Sequence, residues 1–239
     1  MHSYHPAAAE KWQTIARGTY FTSCLTQCVF VSPGVILTAG TDGHAALWPL
    51  KHSFTLDSKD VTSAELLEWE QPRRIHQNAS KTFATHKIYD RTTLVVSGGD
   101  DGSLSFLLAS GNGEPKSALE NSHSSIASLH PPLIVARAHA SAVTACTIFM
   151  LRSRLFVVTS GNDQWVRVWE ILPRLPDNIN QTEESQNNGH FDPLEIARLK
   201  KMKTNVADVS SMAILGVDRT DASARVLICG VGMEVIRIE

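Results

Sequence analysis

One spacing recurs along this chain and limits what it can fold into. The stretch "TAGTDGHAALW" spans 38–48, "SGGDDGSLSFL" spans 97–107 and "TSGNDQWVRVW" spans 159–169. Each centres on an aspartate: Asp42, Asp101 or Asp163. Four residues before it stands Thr38, Ser97 or Thr159; two before it stands Gly40, Gly99 or Gly161; six after it stands Trp48, Leu107 or Trp169. A weaker fourth copy, "ICGVGMEVIRI", puts Gly230, Gly232 and Ile238 at matching places. A Gly/Asp turn between an apolar run and an alternating run reads as a hairpin, because such turns need positive φ and side-chain-to-backbone bonds. The hairpin returns about every 60 residues.

A second signal precedes each hairpin. His139 lies 24 residues before Asp163, and His76 lies 25 before Asp101; Gly18 and Asp208 hold that place in the outer units. Strand-like runs flank these positions. They predict four strands per unit: 11–17, 19–31, 34–39 and 45–50; 67–75, 81–88, 93–97 and 103–108; 133–138, 142–149, 154–160 and 165–171; 194–200, 207–214, 225–230 and 233–238. The expected class is all-β, with four-stranded units at about 11–50, 67–108, 133–171 and 194–238.

Tandem four-stranded units with a His before and a Trp after resemble WD40 repeats, the blades of a β-propeller. The resemblance covers nearly the whole chain. It is densest in the third unit, although the usual closing Trp-Asp reads Trp169-Glu170 and the second unit has Leu107 in place of Trp. It implies a buried polar set in each blade: His139, Thr159, Asp163 and Trp169; His76, Ser97 and Asp101; Thr38, Asp42 and Trp48. A buried Asp is tolerable only when fully paired, so these residues are expected to be structural and not a hydrolase triad.

Four units fall short of the seven blades most common in such propellers. The chain is therefore expected to be the C-terminal part of a longer propeller protein or a truncated gene model, and closure would require an outer strand from elsewhere, such as the N-terminal "WQTIAR". Inserts at 51–66, 109–131 and 173–193 are rich in Ser, Asn, Gly and Pro, as flexible surface loops are. Propellers usually bind partners through the loops that precede the innermost strand and form the Asp turn. This points to Thr41, Asn78, Asp100, Ser141, Asn162 and Asn205.

The order "SGGDDGSLSF", a long insert, "ARAHASAVTACTIF", "SGNDQWVRVWEI", "NVADVSSMAIL" and "GVGMEVIRIE" resembles the C-terminal region of the WD-repeat protein six family. That resemblance implies a non-catalytic partner of an FtsJ-like tRNA ribose 2′-O-methyltransferase. The enzyme would bind S-adenosylmethionine, and the propeller would help present the anticodon wobble nucleotide. The alternative is a general adaptor in endosomal trafficking or ubiquitin ligation. A third reading, direct nucleic-acid binding, rests on Arg198, Lys200, Lys201 and Lys203 in "RLKKMKTN". The net charge of −2 adds no global attraction for phosphate, so only a local patch could serve. No catalytic or cofactor motif appears, and Cys24 and Cys28 have no second pair to complete a metal site. Four sparse cysteines suit reduced thiols, and the expected location is the cytoplasm.

Overall fold

The computed structural model describes residues 14, 16–20, 22–32, 34–50, 65–89, 91–111, 127–173 and 194–239, and every regular element among them is a strand. In chain order these are β1 (Ala16–Gly18), β2 (Leu25–Ser32), β3 (Val35–Gly40), β4 (His44–Pro49), β5 (Glu65–Leu67), β6 (Glu70–Arg74), β7 (Ser80–Tyr89), β8 (Thr92–Gly99), β9 (Leu104–Gly111), β10 (Ala127–Leu129), β11 (Leu133–Val135), β12 (Val143–Leu151), β13 (Arg154–Gly161), β14 (Trp165–Pro173), β15 (Leu194–Lys203), β16 (Ala207–Asp218) and β17 (Ser223–Ile238).

Three antiparallel sheets follow one another. The first is β2-β3-β4-β6, the second β7-β8-β9 with β10 and β11 both paired to β9, and the third β12-β13-β14-β15. The sheets are offset from the sequence units by one strand. The runs at 67–75, 133–138 and 194–200 pair backward, onto the last strand before the insert, and not with the hairpin that follows. The physical reason is that β4, β9 and β14 each leave the hairpin with a free edge. The returning chain satisfies that edge by antiparallel pairing with its nearest sequence neighbour.

The second insert begins later and ends earlier than the sequence suggests, and the first ends earlier. Ala109–Gly111 continues β9, and Ala127–Leu129 pairs back onto it. Glu65–Leu67 is also a strand. Of the inserts, residues 51–64, 112–126 and 174–193 lie outside the described residues. Half of the N-terminal "WQTIAR" lies outside the described residues; its end belongs to Ala16–Gly18, which pairs in parallel with Glu65–Leu67. The predicted 19–31 strand starts only at Leu25, which leaves Tyr20 and Thr22 free to point at Asp42.

The fourth sheet pairs β16 with β17. Arg237 Nη2 donates to Asp221 Oδ2 at 2.8 Å. Sixteen residues of unbroken strand would place those residues about 50 Å apart, so β17 doubles back on itself. Gly232, with φ of 102°, lies where the chain reverses. The two arms correspond to the separate strands the sequence predicts there.

Apolar alternation locks neighbouring sheets face to face. Along β8, Val95 enters the core shared with the first sheet, while Leu94 and Val96 enter the core shared with the third. Along β13, Leu155 and Val157 face back to the second sheet, and Phe156 and Val158 face forward to the fourth. Such strands read as continuous apolar runs because both faces are covered. Each large side chain fully buried this way, Phe106 for example, stabilises the fold by about 1.5–3 kcal/mol.

Candidate partner-binding face

At one edge of each of the first three sheets the repeated turn is built in the same way. Residues 40–43, 99–102 and 161–164 close with a backbone bond from the fourth residue to the first. The fourth residue then has positive φ: 74° at Gly43, 74° at Gly102 and 58° at Gln164. At Gly43 glycine is doubly required, because a Cβ would also strike the His76 carbonyl. The Asp inside the turn accepts the N–H two residues on: His44 to Asp42 at 3.1 Å, Ser103 to Asp101 at 3.0 Å and Trp165 to Asp163 at 3.1 Å.

The third sheet has the fullest polar clasp. The Trp169 indole N–H donates to Thr159 Oγ1 at 2.9 Å, and Thr159 Oγ1 lies 2.9 Å from His139 Nε2. His139 Nδ1 lies 3.0 Å from Asp163 Oδ1, while Asp163 Oδ2 accepts from the Ala140 N–H at 3.0 Å and Arg167 Nη1 at 2.9 Å. The bonds form a consistent chain when His139 is neutral, with its proton on Nδ1 and the Thr159 hydroxyl donating to Nε2. Arg167 Nη1 also lies against His139 Nδ1. Burial pushes the His139 pKa below its usual value and outweighs the pull of Asp163. Burial alone would raise the Asp163 carboxyl, but bonds from His139, the Ala140 N–H and Arg167 hold it at about 2.

The second sheet builds its clasp differently. His76 Nε2 lies 2.7 Å from Ser97 Oγ, and Ser97 Oγ meets Ser80 Oγ at 2.9 Å, where the third sheet has an indole. His76 Nδ1 meets Ser103 Oγ at 2.8 Å, and Ser103 donates in turn to Asp101 at 2.6 Å. The direct His76 to Asp101 distance is 3.5 Å, so the serine relays between them. Asp101 Oδ2 accepts the Gln77 N–H at 2.7 Å. Leu107, fully buried, fills the Trp position with apolar volume alone.

The outer units depart from the sequence reading. In the first sheet Trp48 Nε1 donates to Thr38 at 2.7 Å, but Asp42 is held by the Tyr20 hydroxyl at 2.9 Å and by Thr22 at 2.6 Å. Gly18 instead lies under the Trp48 ring, where any side chain would collide. In the fourth, Asp208 is exposed, and Thr204 takes the histidine's backbone position. Its N–H donates to the Gln164 carbonyl at 3.0 Å, as His76 donates to Gly43 at 3.1 Å and His139 to Gly102 at 2.9 Å. Glu234 replaces the aspartate, accepting from Thr204 Oγ1 at 2.6 Å and the Asn205 N–H at 3.2 Å. Ser80, Ser103, Tyr20, Thr204 and Glu234 escape sequence reasoning because they stand off the repeat's fixed offsets. Their only signal is a hydrogen-bonding side chain near each turn.

Around these clasps stand the candidate contact residues. Thr41, Asp100 and Asn162 are exposed and donate their N–H to the loop before the innermost strand of their own sheet: Cys24 at 2.9 Å, Ala79 at 2.9 Å and Ala142 at 3.1 Å. Asn78 and Asn205 are exposed, and Ser141 is half-buried. Asp100 also pairs with Lys81 at 3.5 Å.

Of the basic run, the structure brings three members together. On β15, Lys203 and Lys201 pair with Trp165 and Arg167, and a bulge at Leu199 restores the phase so that Arg198 pairs with Trp169. Arg198, Lys201 and Lys203 therefore share one face of the sheet, and Lys201 lies over the Trp165 ring at 5.1 Å. Lys200 pairs with Val168 and falls on the opposite face, away from the other three. The four do not form one patch, because the strand alternates. Among the described residues, no cluster of His, Cys, Asp and Glu could hold a metal ion.

No protein-family model matches this chain, and no curated protein sequence does. Among solved structures it is similar to the WD40 β-propeller domain of Doa1, at TM-score 0.47 and 14% identity, covering 91% of this chain and 52% of that one. It is similar to U3-55K at TM-score 0.48 and 11% identity, covering 91% and 53%. The WD40 repeats of RRP9 match at TM-score 0.48 and 11% identity, covering 91% and 52%. The chain thus spans about half the length of these three structures. Strand order, clasps and face-to-face packing define its own class: an all-β, partial propeller built of WD40-type blades.

Proposed function

We propose that this chain is a non-catalytic interaction scaffold that meets its partner through the turn face. One observation carries the reading. Three times over, the residue just before the turn aspartate is exposed while its backbone is pinned and the half-buried aspartate beside it is held by several donors. A rigid frame with interchangeable tips suits recognition, whereas His139 and Asp163, both spent on internal bonds, have no free valence for chemistry.

The finer reading is that the client is an FtsJ-like tRNA ribose 2′-O-methyltransferase with its tRNA, in the cytoplasm. The resemblance of the last three units supports it, and so does the basic face of Arg198, Lys201 and Lys203 beside Trp165, which suits phosphate contacts. The test is affinity purification of the tagged chain from its native cell, with wobble ribose methylation measured after deletion. Copurification of such a methyltransferase and loss of the methyl group is the expected result. Ligase or endosomal partners with normal tRNA would replace this client with the general adaptor. Neutralising Arg198, Lys201 and Lys203 should reduce the salt dependence of any RNA binding, while Lys200→Ala should change it less.

A further inference from the structure

Four positions per sheet meet the next sheet in the arc. In the first sheet they are Val35, Leu37, Ala45 and Leu47; in the second Leu94, Val96, Leu104 and Phe106; in the third Phe156, Val158, Val166 and Val168. All twelve are apolar and buried. The matching positions of the fourth sheet are Arg225, Leu227, Val235 and Arg237. Their alternation partners Val226, Ile228, Ile236 and Ile238 point back into the third core, so these four point away from it. Ala213, exposed and paired with Leu227, extends the same face, as does Met233, 77% exposed.

We infer that this fourth face is an interface between two copies of the chain, joined tail to tail about a twofold axis. The centre is apolar, with Val235 53% exposed. At one end Arg225 and Arg237 share a shallow hollow with Asp218, Asp221 and Ser223. Another blade-like sheet, apolar at all four positions, would bury the Arg225 guanidinium against hydrocarbon without a partner and strip water from the pairs of Arg237 with Asp221 and Glu239. A second copy does not, because a twofold axis brings each residue's neighbours to its counterpart. Arg225 of one copy then meets Asp218 of the other beside the joined apolar centres, while Arg237 keeps its own Asp221. The far end of the arc is covered in part: Tyr20 packs on Trp48 and Trp69, with ring centroids 6.4 and 5.3 Å apart, on the first sheet's outer side, where Phe30 stays exposed. This interface is separate from the turn face, so neither reading depends on the other.

The test is light scattering on the intact chain from about 1 to about 200 μM, a range that brackets weak and firm dimers. The mass should rise from 26.2 kDa toward twice that value. Val235→Asp and Arg225→Glu, both at exposed side chains, should each weaken association at least tenfold while leaving the melting curve in place. Phe30→Asp, 63% exposed on the first sheet, should leave association unchanged. A single-chain mass at every concentration overturns the proposal and leaves the face to a foreign acidic partner. Association that survives both Val235→Asp and Arg225→Glu, or that Phe30→Asp abolishes, also overturns it.

Discussion

Asp163 is the residue on which the third clasp depends. It accepts from the N–H groups of Ala140 and Trp165 and from the side chains of His139 and Arg167. Removing it orphans several donors at once, which costs more than a single bond contributes. Asp163→Ala should lower stability by about 2–4 kcal/mol, or Tm by roughly 5–15 °C for a chain of this size. Asp42→Ala should cost less, since its Thr22 donor is exposed and can turn to water. Thermal melts of the two variants, compared with the parent, check the ranking. The sequence makes this clasp visible because its four residues sit at fixed offsets. It hides the relay through Ser103 and the substitution of Tyr20 for a histidine, because these depend on loops whose paths no periodicity encodes. It also hides Gln164, which holds at φ 58° a place where the two earlier turns use glycine.

At the scale of the element, each histidine joins two sheets. The backbone of His139 bonds to the turn of the second sheet through Gly102, and its ring bonds to the aspartate of the third. His76 does the same between the first and second, through Gly43 and the Ser103 relay to Asp101. Both rings are buried and both pKa values lie below the ordinary one, burial being the main cause. A base with a lowered folded pKa is neutral in the fold and takes up its proton more readily when unfolded. Its contribution is therefore complete above about pH 6.5 and shrinks as pH falls below that toward the folded values. Asp163 has the depressed pKa of a paired acid, so its contribution persists lower still and disappears only as pH falls from about 4 through about 2. Urea midpoints at pH 8, 6 and 5 should fall in that order, and His139→Gln should flatten the drop. A midpoint that rises on acidification would contradict the neutral clasp. The strand runs themselves were legible from alternation and turn chemistry. Their partners were not, because period two marks which face a residue takes and says nothing about which edge a returning chain will choose.

Across the whole molecule, stability should grade from the middle of the arc to its ends. β8 and β13 are covered on both faces, whereas β1 and β5 are short and β17 has a bare face. Hydrogen exchange should be slowest in β8 and β13 and fastest in β1, β5 and the second arm of β17. Uniform protection would show that the arc unfolds as one unit. The all-β class could be read from the sequence, since it needs only the repeat. The partly covered first end and the bare last one could not, since they depend on Tyr20, Trp69 and the two arginines, none of which the repeat marks.

The one-strand offset between sequence unit and sheet has a consequence for how such a chain can be divided. A boundary at residue 171, where the third unit ends in sequence, would strip β15 from β14 and expose a raw edge. A boundary after Lys203 would keep three sheets whole. Swapping a single repeat between two such proteins would exchange fragments of two blades, in the way that one link cannot be lifted from a chain without opening its neighbours. Inheritance by whole repeats therefore favours neighbours that change together.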